Sequence, residues 1–254
     1  MRLAGKVAIV TGGGSGFGEG IAMRFAEEGA KIVVNDIEDA GGTRVVGAIE
    51  KAHGQGSATY CHADVARDAE VKALVDACLD RFGRLDIMVN NAGISHRNMP
   101  MLEVSEAMVD KILAVNVKAI WLAARHVVPV FRRQGGGVII NTASTAGLRP
   151  RPGLTVYNAS KGAAIIMTKS MAVELAADKI RVNALCPVAG ETPLLATFMG
   201  MPDTPENRAK FLGTIPLGRL STARDIANAA LYLASDEAAF LTGVALEVDG
   251  GRCI

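Results

Sequence analysis

Tyr157 and Lys161 stand four residues apart, which puts both on one face of any helix that carries them. A free tyrosine has a pKa of about 10, too high for a base near neutrality. An ammonium beside it stabilises the phenolate and is expected to lower that value. Such a pair can pass a proton to or from a substrate oxygen. The spacing alone is common on helices by chance, so it needs company. A second set of candidates is the run Thr11-Gly12-Gly13-Gly14-Ser15-Gly16-Phe17-Gly18, directly after a strand-like segment. Glycines there permit positive φ and the close approach of a pyrophosphate. A helix starting at the run aims its free N–H groups and positive dipole end at the same phosphates. The spacing is TGxxxGxG rather than GxGxxG, and a tight structural turn would look similar. Its place at the first strand-to-helix crossing favours the phosphate reading.

Asp36 closes the second strand-like run, where a carboxylate can accept both ribose hydroxyls of adenosine and repel a 2′-phosphate. Neither Ser15 nor Ile37, the positions that would welcome that phosphate, is basic. The cofactor expected is therefore NAD. The alternative role for Asp36 is helix N-cap. Asp64 and Val65 close the third run, where an adenine would lie, and Asp64 could cap a helix as well.

The elements that must position these residues alternate along the chain. Strands are predicted at Val7–Thr11, Lys31–Asp36, Ser57–Ala63, Leu85–Asn91, Gly137–Thr142, Ile180–Cys186 and Val244–Val248. Each is almost wholly apolar, as in a parallel sheet buried on both faces. Helical patterns fall between them at Gly16–Gly29, Ile37–His53, Asp68–Phe82, Ser105–Gln134, Val156–Asp178 and Arg224–Ser235. This rhythm predicts a single-domain α/β Rossmann fold over residues 1–254, a doubly wound parallel sheet of about seven strands with helices on both faces. Residues 193–219 break the rhythm. They hold Pro202, Pro205 and Pro216 among leucines, methionine and phenylalanines, and read as a lid over a ligand.

Bulk properties exclude other classes. The 254 residues carry 27 Lys+Arg against 26 Asp+Glu, too even for the basic field of a nucleic-acid or membrane-surface protein. Aromatics at 4% leave no base-stacking platform. Cys61, Cys78, Cys186 and Cys253 are spaced without any CxxC, so no metal site is expected, and free thiols suit a reducing cytoplasm. No signal peptide or membrane span is visible.

The glycine run, Asn90-Asn91-Ala92-Gly93, Ser144, Tyr157-Asn158-Ala159-Ser160-Lys161 and the terminal Val248-Asp249-Gly250-Gly251 occur in order. Together they resemble the short-chain dehydrogenase/reductase family over the whole chain. The resemblance implies hydride transfer between a nicotinamide and a secondary or benzylic alcohol/carbonyl pair. It makes Tyr157 the acid/base, has Ser144 hold the substrate oxygen, and has Lys161 also hold the nicotinamide ribose. It places Asn116 at the fourth catalytic position, anchoring a water in a proton relay, where in isolation Asn116 would read as a plain polar helix residue. It implies cofactor contacts from Gly12, Ser15, Gly16, Phe17, Gly18, Asn91, Ala92, Gly93, Pro187 and Thr192, and a homotetramer. Surplus apolar residues on the helices Ser105–Gln134 and Val156–Asp178 agree with such packing. One departure stands out: Val188 replaces the family's glycine after Pro187.

Three other readings compete. A 3-oxoacyl-carrier-protein reductase would favour NADPH and a basic surface, which Asp36 and the balanced charge oppose. A sugar (glucose) 1-dehydrogenase would want several hydrogen-bonding side chains in its pocket. A non-catalytic nucleotide sensor tends to lose the tyrosine and lysine. Ser95-His96-Arg97-Asn98, Gly190-Glu191-Thr192-Pro193 and Gly250-Gly251-Arg252 resemble a narrower bacterial group within the family. Leu194, Leu195, Phe198 and Met199 are expected to face an apolar ring. His96, Arg97, Arg149 and Arg151 are candidates to hold an anionic group on it, with surface ion pairing as the plainer role for each.

Overall fold

The computed structural model describes residues 1–202 and 204–254. In chain order it runs β1 (Val7–Thr11), α1 (Gly16–Glu27), β2 (Lys31–Asp36), α2 (Asp39–His53), β3 (Ala58–His62), α3 (Asp68–Phe82) and β4 (Ile87–Asn90). Then come α4 (Glu106–Leu113), a π-helical turn (Ala114–Lys118), α5 (Ala119–Gln134), β5 (Gly137–Thr142), α6 (Thr155–Leu175) and β6 (Ile180–Pro187). Last are α7 (Leu195–Met199), α8 (Pro205–Leu212), α9 (Ala223–Ala234) and β7 (Ala245–Val248).

The strands form one seven-stranded sheet in the order β3-β2-β1-β4-β5-β6-β7, parallel at every pairing. Every residue of β1 is buried, as the unbroken apolar run requires. Its side chains serve two cores. Ala8 and Val10 pack with Phe25 of α1 and Ile226 and Leu231 of α9. Val7 and Ile9 pack with Leu74 of α3 and Val127 and Phe131 of α5. The chain order reverses between β1 and β4, so their carboxyl ends open a crevice, the place where doubly wound sheets bind ligands.

Two departures from the sequence reading bear on the site. The helix read as Ser105–Gln134 is not uniform, since the π turn interrupts it at Asn116. Sequence periodicity does not register one extra residue in a turn, and such turns often mark functional sites. The described residues of 193–219 are folded over a small core of their own, made by Val188, Leu195, Met199, Ile215 and Leu220. Among the described residues no helix is long and apolar enough to cross a membrane.

Candidate active site

A cleft of about 500 Å³ lies over the carboxyl ends of the strands, lined from Asp36 and Asp64 on the β2–β3 side to Leu194, Phe198 and Phe211 beyond β6. Gly12 and Gly16 have φ of 61° and 54°, the left-handed conformation that side chains resist. A Cβ on Gly12 would also stand 3.0 Å from the backbone of Ala92. The loop is pinned by Asn91, whose amide donates to the carbonyls of Thr11 and Gly12 at 2.9 and 3.2 Å. The hydroxyl of Thr11 in turn accepts from the backbone of Asn91 and Ala92, both at 3.0 Å. The side chain of Asn91 thus joins the ends of β1 and β4. Ser15 heads α1 without spending its side chain on a cap, and it lines the cleft with Gly16 and Phe17. Gly18 is buried where any side chain would overlap the Gly12 carbonyl, and it stands behind the residues that line the cleft.

Asp36 accepts from the Gly14 amide at 2.9 Å and from the Glu38 amide at 3.1 Å. It caps no helix, because α2 begins behind Glu38. Asp64 accepts from Ala66 at 2.9 Å in a local turn, and α3 begins behind Arg67, so the capping role fails there too. Both carboxylates and Val65 face the cleft. One basic residue nearby was not foreseen. Arg44 donates to the Gly14 carbonyl at 3.1 Å, and both its terminal nitrogens bond Glu19 at 2.7 Å. Its charge is paired and not offered to a phosphate. This donor set fits a nucleotide with a free ribose diol: glycine backbone for the phosphates, a carboxylate for the hydroxyls.

Across the switch point, Lys161 is buried in α6 and donates to the Thr142 carbonyl at 2.7 Å. Its Nζ lies 5.8 Å from the ring centre of Tyr157, also buried. Asn116, set by the π turn, donates to the Ile94 carbonyl at 2.9 Å and to the Ser160 hydroxyl at 3.0 Å. Its Oδ1 accepts from the Ile94 amide at 2.9 Å. Every polar atom of that amide is committed, so Asn116 fastens the Gly93–Ile94 turn against α6. The Ser144 hydroxyl accepts from Ala146 at 3.1 Å and sits beside Tyr157. Pro187 and Thr192 complete the wall.

The electrostatics correct one expectation. Burial pushes Tyr157 up to about 12, with only a partial offset from the Ser144 hydroxyl. Burial pushes Lys161 down to about 8, partly offset by Cys186. Loss of water outweighs the attraction between ammonium and phenolate that the four-residue spacing suggested.

The substrate side is corrected as well. Leu194 and Phe198 line the cleft, but Leu195 and Met199 are buried beneath 193–219. Arg97 is spent on the Gly200 carbonyl, at 3.2 and 2.8 Å. Arg149 is spent on the carbonyls of Arg252 and Ile254, at 2.7 and 3.1 Å. His96 is buried and bonds the Arg97 carbonyl through Nδ1 at 2.8 Å. These three hold loops in place; of the four candidates only Arg151 lines the cleft. It stacks on Phe211, 4.6 Å from the ring centre. Sequence carried no signal for that meeting of residues on separate segments.

Comparison with known proteins follows this geometry. A family profile described as Enoyl-(Acyl carrier protein) reductase matches residues 12–252. The chain is 49% identical, over the full length of both proteins, to 4-formylbenzenesulfonate dehydrogenase of Comamonas testosteroni, the group to which the local strings point. It is 41% identical to 2,5-dichloro-2,5-cyclohexadiene-1,4-diol dehydrogenase of Sphingobium indicum, over 98% of this chain and 97% of that one. The crystal structure of a 3-ketoacyl-(acyl-carrier-protein) reductase from Brucella melitensis, complexed with NADH, superposes with a TM-score of 0.92 at 49% identity. That match covers 99% of this chain and 100% of the other.

The buried lysine has a consequence for stability. Unfolded, Lys161 returns to about 10.5; folded, it sits at about 8. Between those values the unfolded chain binds the extra proton, so stability rises with pH across that window. Melting of the cofactor-free protein from pH 8 to 10.5, compared with Lys161→Met, is expected to show this rise in the parent and not in the variant. Parallel curves would contradict it.

Proposed function

The chain belongs to the short-chain dehydrogenase/reductase family, and from that premise we propose that it is an NAD-dependent oxidoreductase acting on a secondary or benzylic alcohol/carbonyl pair. The observation that carries the reading is the gathering of Tyr157, Lys161, Ser144 and Asn116 at the switch point, in one cleft with the glycine loop and Asp36. Bound NAD(H) supplies the hydride acceptor or donor. Asp36 would take the adenosine ribose hydroxyls, and Asp64 and Val65 would flank the adenine. Gly12, Ser15, Gly16 and Phe17 would face the phosphates, with Ala92 and Gly93 behind them. Thr192 and Pro187 would border the nicotinamide.

In oxidation the hydroxyl proton of the substrate passes to the Tyr157 oxygen while the carbon gives up hydride, leaving a carbonyl. In reduction Tyr157 returns the proton. Ser144 holds the reacting oxygen. Burial keeps Tyr157 protonated and ready to donate in reduction; before oxidation it must first release that proton to water, and the phenolate that then accepts the substrate proton needs the charge of Lys161 close by. Asn116 acts by positioning: it fixes the Ile94 carbonyl and the Ser160 hydroxyl next to the lysine, at the start of a proton path to water. Residues 193–219 serve as the lid. Leu194, Phe198, Phe211 and Val188 make an apolar wall that suits a ring better than a sugar. The name of the Brucella neighbour keeps an acyl-carrier substrate as the second reading, and cofactor choice separates the two.

Tyr157→Phe keeps the shape and removes the proton carrier. Across a panel of alcohols with NAD, followed by NADH absorbance, it should lose roughly 10²–10⁴-fold in kcat while still binding NADH. Near-parental turnover would refute the assignment. The ratio of kcat/KM for NAD over NADP should exceed one, and Asp36→Ala should shrink it; a parental preference for NADP would end the NAD reading. We also propose a homotetramer, since Trp121 on α5 and Ile166 and Val173 on α6 are large, apolar and exposed. A monomer mass by light scattering at micromolar concentration would contradict it.

A further inference from the structure

Arg151 differs from the other arginines around the cleft. Its terminal nitrogen reaches the Thr214 hydroxyl at 3.3 Å, its plane stacks on Phe211, and among the described residues no carboxylate pairs with it. A guanidinium has five donors in a planar fork, and here most of them are unmet. Burial and the nearby charge of Arg252 push its pKa down to about 10, which leaves it cationic at neutral pH. Arg252 is itself only 9% exposed, and its buried Nε has no partner. Asp249 nearby accepts from the amides of Gly251 and Cys253 at 2.9 and 2.8 Å and forms no direct ion pair with either arginine among the described residues. Two guanidinium groups thus stand near each other, each at least partly buried, with no direct ion pair among the described residues. A half-buried guanidinium with most of its donors unmet is costly, and an anion brought to it relieves that cost.

We propose that Arg151, backed by Arg252, is an anion-binding subsite of the substrate pocket, reading a sulfonate or carboxylate on a ring-bearing substrate. The inference deepens the hydride-transfer reading and depends on it for the identity of the bound molecule as substrate. The layout suits one planar molecule. Tyr157 and Phe198, with ring centres 5.0 Å apart, mark the reacting end. Leu154, the residue immediately before α6, packs with both. Arg151 lies three residues before Leu154, at the mouth, against Phe211 and Thr214 of the 193–219 segment. An anion held there would tie the loop after β5 to that segment by a fork of charged hydrogen bonds.

The test is calorimetric and does not require turnover. The enzyme–NADH complex is titrated with benzenesulfonate and with methyl phenyl sulfone, its neutral analogue. The sulfonate is expected to bind about ten- to a hundredfold more tightly, the range for a hydrogen bond to a charged group. Arg151→Met should abolish the difference, Arg151→Lys should retain part of it, and Arg252→Met should reduce it. Should Arg151→Met fail to fold, the lysine variant and Arg252→Met carry the comparison. Equal affinity for the two probes, or an advantage that survives Arg151→Met, overturns the subsite. So does an equal loss of NADH affinity in Arg151→Met, which would make the cofactor's phosphates the anion read. An enzyme that shows the sulfonate advantage but oxidises no alcohol refutes hydride transfer and leaves the subsite standing. Oxidation of benzyl alcohol without the advantage does the reverse.

Discussion

A lysine ammonium is held where water cannot follow it, and the order around the cleft can be traced to that fact. Lys161 finds one neutral acceptor, the Thr142 carbonyl at the end of β5. A single carbonyl does not replace a hydration shell, so the ammonium is disfavoured, and burial in the same wall keeps the proton on the neighbouring tyrosine. The group remains buried only because what surrounds it is fixed. Asn90 donates to Asn141 at 2.9 Å, and Asn141 donates to Thr168 of α6 at 2.8 Å. That buried chain binds β4, β5 and α6 together beneath the site, and a fully satisfied polar chain of this kind fixes geometry better than apolar packing can.

Asn116 extends the same logic upward. A plain α-helix would present side chains at regular angles; the π turn lets this one amide meet both Ile94 and Ser160. Sequence reading identified the residue through family order but could not supply the turn, because one extra residue leaves no mark in hydrophobic period. The strands were legible for the opposite reason. A strand buried on both faces must be apolar throughout, so β1 and β2 were found to the residue. The glycine loop, Asp36 and the Tyr157–Lys161 face were legible because each must sit at a strand end or one helical turn away.

What sequence could not reveal is how cations are used. Arg97, Arg149 and Arg151 have the same side chain and lie in neighbouring loops. Two of them are committed to backbone carbonyls that chain turns leave uncovered. Only the third faces the cleft, because its neighbours Phe211 and Thr214 arrive from a segment some sixty residues on. Residue type sets what a group can do; long-range packing decides whether it is free to do it. The expected drop in the tyrosine pKa failed for a related reason, since spacing measures proximity of charge and says nothing of lost water.

Val188 shows how a departure from the family pattern can be absorbed. A glycine there would leave the backbone beside the nicotinamide position bare. The valine is 4% exposed and belongs to the core under 193–219, with Leu195, Met199, Ile215 and Leu220. Burying a valine side chain is worth about 1.5–3 kcal/mol, and here it fastens the root of a segment otherwise tied down by a few loop contacts, such as Asn98 to Thr197 and Leu217 to Gly250. The same side chain lines the cleft, so one residue both packs into the core beneath the segment and takes up space in the cleft that a glycine would leave open. With Leu194 and Phe198 it leaves that part of the cleft lined by apolar side chains, the surface on which the proposed ring-bearing substrate would rest.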